Sequence, residues 1–194
     1  MKWIMGSIED FSAAEYKTAY ETLSPSRRAR IDRLKREDDR KRSLLAELLL
    51  KKLLREEGIT DQSVESAENG RPYLSNTTRF ISLAHSGDKA VAALSKTSIG
   101  VDLEKIKPIK SGMTKRVCTK EEEDFVLKGQ DFGGEITDRE SLKRFFMVWT
   151  AKEAYFKAQG TGITELKSVN TLDLQVEFAE KDDFIIALYE ERNN

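Results

Sequence analysis

Cysteine and histidine are nearly absent. The 194-residue chain carries one of each, Cys118 and His85. One cysteine excludes an internal disulfide and points to a reducing compartment. One cysteine and one histidine also exclude a zinc-cysteine or histidine-rich centre, so any metal must be held by carboxylates, which favours a hard ion such as Mg²⁺. Long hydrophobic runs are missing too. The most apolar stretch, Leu44 to Leu54, is broken by Glu47, Lys51 and Lys52, and the opening MKWIMGSIEDF has no apolar run of signal-peptide length. Net charge is close to zero at -1, so no global field calls for nucleic acid or membrane. The expectation is a cytoplasmic, soluble protein.

What is present is unevenly spread. Residues 27–55 hold twelve Lys or Arg against five Asp or Glu. Ser12 with Glu15 and Thr119 with Glu122 are capping-box pairs that open helices. Ser24-Pro25 starts another, and the stripe Leu44, Leu45, Leu48, Leu49, Leu53 predicts a helix over 43–57, closed by Gly58. Short strands are expected near 2–8, 63–68, 79–84, 89–94, 98–104, 171–178 and 184–189, with Asn69-Gly70 as a turn. Each half reads as a strand, helices, then more strands. The expected fold class is α+β: two pseudo-symmetric α/β lobes, residues 1–97 and 98–194, each with a small antiparallel sheet and with a cleft between them.

The long predicted helix, 138–159, holds the most telling position. Leu142, Phe145, Phe146, Trp149 and Phe156 fall on one helical stripe, with Glu153 in its midst. A carboxylate on a core-facing stripe must be protonated, paired or bound to a cation. Asp102 and Glu104 alternate on a strand and leave the same face. They read as a solvated strand edge or, with Glu153, as three oxygen ligands for a hard cation. Glu153–Lys157 is an ordinary helix pair one turn apart or a base beside a phosphate-neutralising cation. His85 is a structural histidine or a site residue. Arg27, Arg30, Arg42 and Arg71 are a solvated basic face or planar phosphate donors.

The runs NGRPYL, ISLAHS, IGVDLEKIKP and FFMVWTAKEAYFKAQGTGI resemble, in order and spacing, the surfactin-synthetase-activating type of 4′-phosphopantetheinyl transferase. The resemblance implies transfer of the phosphopantetheine arm of coenzyme A to a serine of an apo acyl or peptidyl carrier protein, with Mg²⁺, releasing adenosine 3′,5′-bisphosphate. It implies Asp102, Glu104 and Glu153 as magnesium ligands, with Glu153, Lys157 and His85 in catalysis. It implies Arg27, Arg30, Arg42, Gly70, Arg71, Pro72, His85, Ser86, Lys152 and Lys157 around coenzyme A. It also implies a monomer with an internal pseudo-dimer. Two other readings stay open: a non-catalytic coenzyme A or carrier-binding protein of the same fold, and an unrelated Mg²⁺-dependent nucleotide hydrolase.

Overall fold

The computed structural model describes residues 1–59, 63–75, 77–162 and 165–192. The first half runs β1 (Lys2–Ser7), α1 (Ala13–Glu21), α2 (Pro25–Asp32), α3 (Glu37–Glu56), β2 (Val64–Ser66), β3 (Pro72–Leu74), β4 (Phe80–Ser86) and β5 (Lys89–Ser95). The second runs β6 (Ile99–Lys105), β7 (Ile109–Lys110), α4 (Gly112–Val117), α5 (Lys120–Leu127), β8 (Glu135–Ile136), α6 (Arg139–Gln159), β9 (Val176–Lys181) and β10 (Phe184–Glu190).

Two antiparallel sheets share one plan. The first is ordered β1-β5-β4 and the second β6-β10-β9. In each, the first strand of its half pairs with the last, and the last pairs with the one before it. This is the pseudo-symmetry expected of the α+β fold. Alternation along the strands sends Val91 and Ala93 toward Val101, Leu103, Ile186 and Leu188, where the sheets stack in one apolar layer. The outer face of the first sheet packs Ala90, Ala92 and Leu94 under α1 and α3. Ile185 of the second packs with Phe145 and Phe146 of α6. The halves therefore join through an apolar core.

Both expected capping boxes form, Ser12 with Glu15 and Thr119 with Glu122. Asp138 caps α6 and Gly160 ends it at φ 70°. Three elements differ from expectation. Helix α3 starts at Glu37 rather than Ser43, because Glu37, Asp38 and Asp39 complement the positive end of the helix dipole. The strand expected from Thr171 begins only at Val176. Thr171 donates its backbone N–H to Glu122 and Leu172 donates its own to Asn170, so a tight 3-10 turn replaces a ladder. Glu135–Ile136, outside the strands expected from sequence, forms β8, which pairs with β7.

Candidate active site

Strand β6 presents Gly100, Asp102 and Glu104 on one face, while Ile99, Val101 and Leu103 enter the inter-sheet core. A methyl group on Gly100 would overlap the backbone carbonyl of Ala154 and crowd the amide of Ala158. Helix α6 can therefore lie directly on β6, and Ser98 Oγ donates to the Ala158 carbonyl at 2.6 Å. Small Ala154 and Ala158 make the contact, and the aromatic residues of α6 pack elsewhere. Glu153 consequently sits half-buried at the edge of the stripe, not in its centre.

This close approach assembles a charged cluster. Lys157 donates to Asp102 Oδ1 at 2.7 Å and to the Val101 carbonyl at 3.2 Å. Asp102 is buried, and its Oδ2 has no partner among the described residues. Burial pushes the Asp102 carboxyl above its usual range, against the pull of Lys157. Burial also pushes the Glu153 carboxyl up to about 7, aided by the negative charges of Asp102 and Glu104 and opposed by Lys157. Glu104 Oε2 accepts from Ser86 Oγ at 2.7 Å. Asp102, Glu104 and Glu153 are thus electrostatic neighbours.

Among the described residues no three His, Cys, Asp or Glu side chains stand ready as a metal cage. One reason is visible: Lys157 holds one Asp102 oxygen and Ser86 holds one of Glu104. The donor set still suits a hard cation. It is all oxygen, it includes a buried carboxylate oxygen without a partner, and its crowded negative charge is what such an ion relieves.

Beside the carboxylates lies a cleft of about 220 Å³. Arg30, Gly70, Arg71 and Pro72 of the first half line it, with Phe156 and Lys157 of α6 facing them. Gly70 holds φ at +81° in the turn of the β2–β3 hairpin, against the Arg30 guanidinium. Arg30 donates to the Gly70 carbonyl at 3.2 Å, and Asn69 donates across to the Gly160 carbonyl at 3.0 Å. At the end of β4, His85 Nε2 lies 3.5 Å from Ser43 Oγ. Arg42 donates to the Gly87 carbonyl at 2.7 Å and pairs with Asp39. Desolvation, with the charges of Arg42 and Lys157, lowers the His85 pKa, although the residue keeps an exposed side that moderates the shift.

Two expected site residues lie elsewhere. Arg27 is 5% exposed, and its guanidinium is committed to Glu47 and Ser66. Lys152 is fully buried behind α6, donating to Glu122 at 2.8 Å and to the carbonyls of Leu166 and Val169 at 2.7 and 2.6 Å. Neither side chain reaches the cleft. An amphipathic side chain next to a site residue in sequence leaves a helix about 100° away from it, and that rotation carries Lys152 inward. Cys118 takes no part, since burial pushes its thiol up to about 12. Sequence reasoning assigned no role to Gly100, although a glycine two residues before an acid on the same strand face marks close backbone approach.

Comparison with known proteins agrees with this geometry. Residues 98–193 match the 4′-phosphopantetheinyl transferase superfamily model, and residues 10–97 match the model described as 4′-phosphopantetheinyl transferase, N-terminal. The chain is 31% identical to the 4′-phosphopantetheinyl transferase psf-1 of Bacillus pumilus, over 73% of this chain and 60% of that protein. It is 28% identical to the 4′-phosphopantetheinyl transferase Sfp of Bacillus subtilis, over 73% of this chain and 62% of that protein. It is 31% identical to the 4′-phosphopantetheinyl transferase pptA of Paxillus involutus, over 79% and 65%. The chain thus spans about three fifths of the length of these curated relatives. Both halves matching models of one kind, around the carboxylate cluster and basic cleft just described, the chain belongs to the 4′-phosphopantetheinyl transferase superfamily.

Proposed function

We propose that this protein transfers the 4′-phosphopantetheine arm of coenzyme A to a serine of an apo acyl or peptidyl carrier protein. The observation that carries the reading is a cluster: Lys157, which lines a cleft with cationic walls, holds buried Asp102 beside Glu153, whose carboxyl burial pushes up to about 7. A group with that pKa can take and release a proton under working conditions. Glu153 accepts the proton of the carrier serine. The serine oxygen forms the new bond to phosphorus as the pyrophosphate P–O bond breaks, and adenosine 3′,5′-bisphosphate leaves. Lys157, Arg30 and Arg71 line the cleft where that charge develops, and such transfer depends mainly on positioning and charge neutralisation.

Arg42 and His85 stand at the end of β4, where they serve the phosphate-bearing end of the ligand. Asp102, Glu104 and Glu153 are the residues that would hold Mg²⁺, which when bound supplies positive charge to the pyrophosphate oxygens. The test is incubation of an apo carrier protein with coenzyme A, Mg²⁺ and this protein, read by mass. Gain of one phosphopantetheine per carrier is expected. Binding of coenzyme A without mass gain would favour the non-catalytic reading, and hydrolysis to free products would favour the hydrolase.

A further inference from the structure

The buried Arg27–Glu47 pair has a direct structural path to the cleft wall. Glu47, on α3, is fully buried, and its Oε1 accepts Arg27 Nε at 2.6 Å. From the other side of the same guanidinium, Nη1 donates to Ser66 Oγ on β2 at 3.2 Å. Three further contacts dock α2 along that strand. Ser24 Oγ donates to the Val64 carbonyl at 2.6 Å, Ser26 Oγ donates to Glu65 at 2.6 Å, and the Ser66 amide donates to Ser26 Oγ at 3.1 Å. One turn after Arg27, Arg30 reaches the Gly70 carbonyl at the hairpin turn. The hairpin has three residues per strand and, among the described residues, its strands pair with each other and with no other strand. Val64 and Leu74 seat it in the core, Asn69 ties its turn to Gly160, and the α2 contacts hold its backbone from behind.

We propose that Arg27, Glu47 and Ser66 form a strut that positions the Gly70-Arg71 wall for coenzyme A without touching it, an inference that rests on the transferase reading above. A planar guanidinium can face a carboxylate and a hydroxyl at once in fixed directions, which an ammonium cannot. Burial makes the pair all-or-none: with either charge removed, the other is left uncompensated. Arg27 is thus a positioning residue.

Coenzyme A affinity by calorimetry, KM and kcat are measured for Glu47→Gln, Ser66→Ala and Arg27→Lys, with thermal melting as the control for folding. A doubly apolar variant, Arg27→Met with Glu47→Leu, leaves no lone charge if the single changes fail to fold. All four are expected to weaken coenzyme A by about tenfold, the lower end of the loss that follows when groups orienting a ligand's contacts are removed, with KM rising and kcat unchanged. Hydrogen exchange of the hairpin amides should quicken in the same variants. Parent-like affinity in Glu47→Gln and Ser66→Ala overturns the proposal, as does retained affinity in Arg27→Lys, which would mean a simple charge contact with the ligand. If the parent protein itself neither binds nor transfers, the transferase reading fails. The strut is then judged by hydrogen exchange alone, and unchanged hairpin protection refutes it.

Discussion

The first half of the chain buries Arg27 against Glu47, and the second buries Lys152 against Glu122. The two pairs are finished differently. Glu122 uses both oxygens: one accepts the amide and hydroxyl of Thr171 at 2.7 Å each, the other accepts Lys152 and the Thr119 amide. Glu47 leaves Oε2 without a partner among the described residues. Both pairs tie their neighbours together, but the unpartnered oxygen of Glu47 adds a standing desolvation cost that Glu122 escapes. The same contrast runs through the halves as a whole. Each wraps helices on a three-stranded sheet of the same order, yet the first supplies Arg30 and Arg71 to the cleft, while the second supplies Lys157 with the carboxylate cluster behind it. Duplicated architecture thus carries guanidinium groups on one side and a carboxylate cluster with its lysine on the other.

The largest effect expected from breaking that contrast falls on the acidic side. Glu153→Gln should lower transfer by about 10²–10⁴-fold, the usual contribution of a positioned base, while the melting curve stays close to the parent's. Turnover near the parent level would remove Glu153 from the chemistry. Next comes the satisfied pair: Lys152→Met should cost about 3–5 kcal/mol in urea unfolding, because it strands Glu122 in the core. A loss under 1 kcal/mol would show that Glu122 does not depend on the lysine.

The two strands that open the halves give the last pair of tests. Gly6 of β1 faces the end of the Leu49 side chain at 3.1 Å, but Gly100 of β6 faces helix backbone. Gly100→Ala should cost about 3 kcal/mol, the upper end for overpacking, and should also lower activity by moving α6 away from Asp102. Gly6→Ala should cost about 1 kcal/mol, since only a flexible methyl must shift. Equal costs at the two glycines would mean that both helices sit equally close to their sheets.

Much of this was legible in sequence because it depends on local chemistry. Capping pairs, the leucine stripe and the Asn69-Gly70 turn each state their structure within a few residues. The carboxylate cluster was legible because Asp102 and Glu104 share a strand face and Glu153 needs a compensating group. Arg27 and Lys152 were misplaced for a common reason. Their partners Glu47 and Glu122 lie on other helices, 20 and 30 positions away, and a cation near a motif reads the same whether it turns outward or inward. Glu122 was recognised as a cap, but its second duty toward Thr171 depends on a segment 49 residues later.

The Asn69 bond to Gly160 has a thermodynamic corollary. It crosses from the first half to the end of α6, so the cleft's opposite walls belong to units that would part if the apolar layer between the sheets yielded. An occupant gripping both walls acts as a clamp, and linkage then demands that the melting temperature climb with its concentration.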